Sequence, residues 1–311
     1  MRTRQAQLII FLLLFTQVNV FACINGETKI LKNGVFIYED HEGTIPYGHQ
    51  FNRLNFENVK RELDSLYKKN HDLDYLSDIG YVLIIEGKYS DALAIYLEIE
   101  KKAPNRYSTA SNIGTIYELL GDDQKAYIWI QKAIRLNPNA HDGSEWLHLK
   151  ILEAKLNKLK NPDSNFFFST SFGTFNHVQT ELSDRKIERL IRDIYYQLNE
   201  RITFIKEKDV IIAHLLFELG NLCLLEGKKY DALQNLKMAK EYGLNSELLN
   251  RRIAFAEGLN WSGSAEGSYR TSQTTYKTVY NPEKTILLII SILAGCALLV
   301  YACKTIRKKK K

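Results

Sequence analysis

Apolar side chains recur with helical spacing through the middle of the chain. Residues 144–160 carry five of them on one helical face, and residues 183–206 carry six. They are Trp146, Leu149, Leu152, Leu156 and Leu159 in the first segment, and Ile187, Leu190, Ile191, Ile194, Leu198 and Ile202 in the second. This period predicts two amphipathic helices, the second with Ser183 as a candidate N-cap. The pattern favours an all-α body.

An uncharged apolar run near the start predicts a secretory signal over residues 1–22. Arg2 and Arg4 precede the apolar residues 8–21, and Ala22 is the small residue expected before a cleavage site. An alternative uses Cys23, because the sequence Val-Phe-Ala-Cys is similar to the lipobox of bacterial lipoproteins. Cys23 would then carry a lipid.

A second uncharged run, residues 285–303, is long enough to cross a bilayer as one helix. Lys284 precedes it, and the basic residues Lys304 and 307–311 follow it. Basic flanks stay in the cytoplasm, so this tail is expected inside and the body outside, in the periplasm of a Gram-negative cell. A cleaved sorting tail is the alternative.

Residues 28–38 alternate around Asn33-Gly34, which predicts a β-hairpin. Two strands alone are marginally stable, so the hairpin is expected to pack on the first helices. The segment 23–60 is therefore assigned to a hairpin and a docking segment.

Two adjacent stretches repeat at a period of 34 residues, and a third repeats their internal spacing. Five residues of the first stretch recur 34 places later, and the third stretch repeats the internal spacing with two glycines and two alanines. The residues are Gly80, Gly87, Ala92, Pro104 and Asn105; then Gly114, Gly121, Ala126, Pro138 and Asn139; then Gly220, Gly227, Ala232 and Ala239. This period is typical of stacked helical hairpins.

These residues resemble the tetratricopeptide repeat (TPR), with copies at 73–106, 107–140 and 213–246. The resemblance implies a solenoid of helix pairs over residues 61–260, in which Gly80 faces Ala92 where the two helices approach most closely. A helix over 246–259 would cap the stack. Leu244 stands where the third copy should have its proline, so that boundary is the least defined. The expected fold is an all-α, TPR-like helical-hairpin solenoid with a small N-terminal β-hairpin and one C-terminal transmembrane helix.

The resemblance also implies a groove on the first helices of the copies that binds protein or peptide partners. The positions carried over to this groove are Asp74, Ser77, Tyr81, Ile84 and Ile85; Ser108, Ser111, Thr115, Glu118 and Leu119; and His214, Phe217, Asn221, Leu224 and Leu225. Asn221 has no groove lysine beside it, which argues against a clamp for a terminal carboxylate. Tyr81 and Phe217 suit a peptide or helix with apolar anchors. Alternatively, Ile84, Leu119 and Leu224 belong to the core.

Charge and candidate chemistry narrow the functional classes. The formal charge of +6 comes from the ends, because residues 23–284 carry 34 basic and 36 acidic side chains. This balance excludes the basic footprint of a nucleic-acid-binding protein. The four cysteines show no CxxC spacing, and no catalytic motif is present, so no cofactor, metal or enzymatic activity is expected. His41 and His49 beside carboxylates leave a metal-dependent enzyme as an alternative.

Two segments outside the copies remain. The connector 161–182 holds Phe166, Phe167, Phe168, Phe172 and Phe175 with glycine, serine and threonine. It predicts a non-helical cover over the repeat core or, alternatively, an exposed aromatic patch for a partner. Residues 261–284 read as a flexible stalk.

The sequence thus predicts a membrane-anchored, extracytoplasmic scaffold that binds partner proteins and has no enzymatic activity. The alternative is a sensing subunit of a transmembrane signalling complex, which would require a separate partner for output because the tail 304–311 is short.

Overall fold

A computed structural model describes residues 30–41 and 43–258, in which eleven α-helices and one two-stranded sheet are present. In chain order the elements are β1 (Tyr38–Glu39), β2 (Gln50–Phe51), α1 (Phe56–Asn70), α2 (Leu73–Ile85), α3 (Tyr89–Lys102), α4 (Tyr107–Leu119), α5 (Asp123–Leu136), α6 (Glu145–Leu156), α7 (Ser164–Phe168), α8 (Asp184–Phe204), α9 (Val210–Leu225), α10 (Lys229–Glu241) and α11 (Glu247–Gly258). A turn of 3₁₀ helix, His141–Gly143, precedes α6.

The predicted signal, stalk, membrane span and basic tail lie outside the described residues. Within residues 30–41 and 43–258, none of the helices has both the length and the apolar character that a bilayer span needs.

The three predicted repeats are helix pairs: α2 with α3, α4 with α5, and α9 with α10. Each pair turns at a glycine with positive φ, 74° at Gly87, 81° at Gly121 and 72° at Gly227. Glycine adopts this conformation without the steric cost that a Cβ would add. The mostly helical, hairpin-based architecture is therefore confirmed.

The close approach inside each pair differs in detail from the predicted Gly80–Ala92 contact. A Cβ at Gly80 would lie 2.7 Å from the ring of Tyr96, which supplies all three nearest atoms. Gly114 meets Ile130 and Gly220 meets Leu236 in the same way. Because glycine has no side chain, it leaves a space, called the socket here, for a large residue of the second helix. That large residue lies one turn after the small residue of the same helix.

The remaining helices extend the array. α6 packs on α5, α8 packs on α6 and α9, and α11 covers α10. Helices were predicted at these three places, and the observed bounds fall one to four residues inside the predicted ones. α1, which was not predicted, packs on α2 and starts after Asn55, whose side chain accepts the backbone N–H of Asn58. The predicted boundary between residues 60 and 61 falls inside α1.

The N-terminal residues form an arm, defined here as residues 30–41 and 43–54. The predicted turn is present: Gly34 has a φ of 87°, and Ile30 bridges Phe36. The two-stranded sheet lies further on, where β1 pairs antiparallel with β2. The arm packs as expected on the first helices, because Leu31, Ile37 and Tyr38 join Val59, Leu63 and Tyr81 in one buried cluster.

The aromatic connector mainly covers the core. Phe167, Phe168 and Phe172 are buried in a cluster built from α6 and from α8 to α11, whereas Phe175 is 60% exposed. The connector also contains one short helix, α7, where none was predicted. Asp163 caps it by accepting the backbone N–H of Phe166.

Candidate functional site

The candidate site is the groove face, defined as the side of α2, α4 and α9 that carries the predicted partner-binding residues. Eight of the ten selected residues are buried: Ser77, Tyr81, Ser108, Ser111, Glu118, His214, Phe217 and Asn221. Asp74 and Thr115 are partly buried. The covering groups belong to the chain itself, and the role of these ten residues in partner binding stays a prediction.

The arm covers the groove face of the first pair. The backbone N–H of Lys32 donates to Asp78 at 2.6 Å, and the Lys32 ammonium donates to Asp74 at 3.0 Å. Arg106 also pairs with Asp74. Burial raises the pKa of the Asp78 carboxyl group to about 7, although the N–H of Lys32 acts in the opposite direction.

Helix α8 covers the groove face of the second pair through a buried ionic network. Glu118 accepts hydrogen bonds from His148 Nε2 and Lys155 Nζ at 2.7 Å each and from Arg201 Nη2 at 3.3 Å. Burial alone would raise the pKa of Glu118. Arg201, Lys155 and His148 outweigh burial and hold that pKa well below its usual range.

The network continues toward the start of α6. His141 Nδ1 bonds Glu145, and the hydroxyl of Tyr107 lies 3.1 Å from the same imidazole. His148 Nδ1 lies 3.5 Å from the second oxygen of Glu145. Burial opposes ionisation of Glu145, but His141 and His148 lower its pKa. The second pair is therefore joined to α6 and α8 by buried charged and polar side chains.

The aromatic connector covers the groove face of the third pair. The backbone N–H of Ser164 donates to Glu218 Oε1 at 3.1 Å, and the Asn221 amide donates to Oε2 at 3.0 Å. Burial raises the pKa of the Glu218 carboxyl group to about 7, against the opposing effect of these two donors. Asn221, a predicted groove residue, thus orients this carboxyl group.

Asp78 and Glu218 occupy equivalent positions, each two residues before the packing glycine of its copy. Both accept a backbone N–H from a segment outside the repeats. Sequence reasoning missed both. The available signal was an acidic residue two places before Gly80 and Gly220, where the second copy has Asn112.

His49 attaches the arm to α8. Its Nδ1 lies 2.5 Å from Asp40 and its Nε2 lies 3.0 Å from Glu200, while the N–H of Gly48 donates to Asn199 at 2.8 Å. Burial alone would lower the pKa of His49, but Glu200 and Asp40 outweigh it and raise the pKa to about 10. The imidazolium thus donates to both carboxylates at neutral pH.

The structure does not bring His41 and His49 into one site. His41 is exposed, where it contacts the Gln50 amide and the Tyr47 ring. In the described parts of the chain, no group of three histidine, cysteine or acidic side chains could hold a metal ion. The geometry of His49 fits a structural ion pair, and nothing in it favours the metal-dependent alternative.

The tip of the arm reaches the third pair. The Thr44 carbonyl accepts from the Asn235 amide at 2.9 Å, and its hydroxyl donates to Asp231. The buried thiol of Cys223 lies 3.6 Å from the same hydroxyl. Burial raises the pKa of the Cys223 thiol to about 12, so Cys223 acts as a small core residue.

Beside the arm tip the groove face stays open. The open groove, as we call it, has a volume of about 680 Å³ and lies between the arm tip, α8 and the end of α9. Its lining residues are Thr44, Asp184, Ile187, Glu188, Ile191, Arg192, Leu225, Glu226 and Lys228. Leu225 belongs to the predicted groove. Sequence reasoning missed the α8 side because α8 lies outside the clear copies.

Comparison with known proteins finds solved structures whose backbone is distantly similar to that of this chain. No protein-family profile matches this chain, and no curated protein matches it. Three similar solved structures are MamA (residues 41 to the end) from Desulfovibrio magneticus RS-1, a thermophilic TPR protein from Thermus thermophilus, and a tetratricopeptide repeat protein from Parabacteroides merdae.

These likenesses cover most of each relative at low identity. The identities are 14%, 15% and 16%, covering 61%, 65% and 65% of this chain and 86%, 91% and 93% of the respective relatives. The TM-scores are 0.32, 0.33 and 0.31, which are too low to support an argument about function. The description of this protein as an array of repeat-like helix pairs therefore rests on its own sequence period and on the observed packing.

Proposed function

We propose that this protein is a non-enzymatic scaffold that binds partner proteins on its groove face, held at a membrane with its body outside the cytoplasm. The observation that carries the proposal is that the helix pairs already hold non-repeat segments of this chain by their backbone groups. Asp78, Glu218 and Asn235 each hydrogen-bond a backbone group of a non-repeat segment. Recognition of backbone groups, with pockets for side chains, is how many peptide-binding surfaces work.

The arm itself is a permanent part of the fold in this proposal. Leu31, Ile37 and Tyr38 are at most 2% exposed. Burying an apolar side chain of this size contributes roughly 1.5–3 kcal/mol. A partner that displaced the arm would lose all three contributions, so the open groove offers the less costly place to bind.

The placement at a membrane follows from the sequence. The signal-like residues 1–22 and the apolar run 285–303, with its basic flank, support a single-pass anchor with the body outside. Lipidation at Cys23 would add a second anchor. Tethering would raise the local concentration of the groove face near partners in the same membrane.

Photo-crosslinking in intact cells tests this function. A photoreactive residue replaces Glu188 at the open groove or, as a control, the exposed Lys101 on α3. The proposal expects a discrete extracytoplasmic protein captured at position 188 and not at 101. Equal capture at both positions, or capture of cytoplasmic proteins alone, contradicts it.

A further inference from the structure

We infer that the open groove binds a partner segment in which an aliphatic or aromatic side chain stands next to a lysine or arginine. The inference rests on the proposed function and adds the chemistry of the ligand. Three observations support the inference: the apolar floor of the open groove, the charges on its rim and the position of the arm tip.

The floor of the open groove is apolar and rigid. Ile187 and Ile191 lie one turn apart on α8, and Leu225 faces them from the end of α9. Both isoleucines are packed into the main buried cluster, so their positions are fixed before a ligand arrives. A preformed apolar floor suits one inserted side chain, since little ordering is needed on binding.

The charges on the rim favour a basic ligand. Both cations of the lining already have acidic partners, Lys228 at 2.6 Å from Glu226 and Arg192 at 3.5 Å from Asp142. Two further carboxylates, Asp184 and Glu188, are exposed on consecutive turns of α8, and no ion pair is seen for either within residues 30–41 and 43–258. A lysine or arginine of the partner would meet these two groups directly.

The arm tip shows that a partner segment has room to approach the open groove. Thr44 lines the open groove while its carbonyl and hydroxyl groups bind α10. The arm therefore already lies along the third pair as far as the rim of the groove. A partner segment in the groove would lie next to the arm tip and would not have to displace it.

Peptide binding to the purified full-length protein tests the inference. The probes are two labelled peptides, Ser-Lys-Leu-Ile-Lys-Ser and its acidic counterpart Ser-Glu-Leu-Ile-Glu-Ser, followed by fluorescence anisotropy. The basic peptide should bind at least about tenfold more tightly than the acidic one. Equal affinity for the two peptides, or no binding of the basic peptide, overturns the inference.

Charge reversal locates the binding. The double variant D184K/E188K should weaken the basic peptide by about tenfold. The matched control E62K/D91K, which also reverses one first-turn aspartate and one exposed glutamate, should change the affinity by less than twofold. Unchanged binding by D184K/E188K contradicts the assignment.

The two proposals fail in different ways. Capture of a partner at position 188 without a preference for basic peptides leaves the scaffold standing and removes this inference. Crosslinking from position 188 to the chain's own basic residues 304–311 also overturns it, because the occupant would then be internal. No capture at any open position of the groove face removes the scaffold itself.

Discussion

The first and third helix pairs hold their covering segments by one kind of interaction, and the second pair holds its covering segment by another kind. In the outer two pairs a buried carboxyl group accepts a backbone N–H from a segment outside the repeats, Asp78 from Lys32 and Glu218 from Ser164. In the second pair Glu118 faces a histidine, a lysine and an arginine instead. A few residues in otherwise similar helix pairs thus decide whether the groove face accepts a backbone N–H or packs against a charged helix.

The largest expected effect comes from breaking the ionic network of the second pair. Glu118→Ala would leave Arg201, Lys155 and His148 buried with less compensating charge, and loss of one member of a buried ion pair costs about 3–5 kcal/mol. Urea unfolding followed by circular dichroism measures the loss.

The matched control for this variant is Glu98→Ala. It breaks an exposed i,i+4 pair with Lys102, and such pairs contribute up to about 1 kcal/mol. A Glu118→Ala loss no greater than that of Glu98→Ala would show that the network adds nothing to the attachment of α8.

Asp78→Asn makes the first pair resemble the second, which has Asn112 at this position. Because burial raises the folded pKa of Asp78 to about 7, the related stability is fully present below about pH 4 and is lost as the pH rises through 7. A rise of that size corresponds to at most about 4 kcal/mol. Asparagine does not titrate, so the stability of the variant should rise relative to that of the wild type between about pH 4 and pH 7.

Unfolding midpoints of both proteins at a series of pH values measure this gain. A constant difference between them across the range would mean that Asp78 is ionised throughout and that its burial has no consequence for pH dependence.

Substitution of the packing glycines tests the close helix packing that all three pairs share. Gly80→Ala would place a Cβ 2.7 Å from the Tyr96 ring, and Gly114→Ala would meet Ile130 at 2.6 Å. Overpacking of this kind costs about 1–3 kcal/mol. Gly258→Ala, where the added Cβ meets nothing within 4 Å, is the control. Thermal unfolding should separate the variants, and equal midpoints for all three would refute the socket.

The smallest effect is expected at the tip of the arm. Thr44→Val removes the hydroxyl that donates to Asp231 while keeping the size of the side chain. A lost hydrogen bond costs about 0.5–1.5 kcal/mol. Hydrogen exchange should become faster in residues 43–49, whereas Thr174→Val on the exposed part of the connector should leave it unchanged. Equal exchange in both variants would mean that the tip is held by other contacts.

The sequence predicted the helix pairs better than it predicted the segments that cover them. The period of 34 placed α2 to α5, α9 and α10, because glycine turns and packing sockets are local requirements that recur in each copy. α1 and α7 were missed, since neither carries a repeat signal, although Asn55 and Asp163 are recognisable caps. The Tyr96 socket was also missed, because a pattern of small residues does not say which large side chain fills the space.

The covering of the groove face could not be predicted, because it depends on contacts between distant residues. Nothing near Lys32 in the sequence indicates that its N–H meets Asp78, and nothing near Arg201 indicates Glu118. The resemblance supplied the positions of the groove but not their occupants. The open groove needs α8 beside α9, a packing that comes from the fold as a whole.

The arm has a consequence for the order of folding. Solenoids fold through contacts between neighbours, so they can form as the chain is made. In this protein the hydrogen bond of Thr44 can form only after Asn235, 191 residues later, has been made. The hydrogen bond of the Gly48 N–H likewise requires Asn199. The arm, which precedes all the helices, therefore completes its contacts only after the third pair exists.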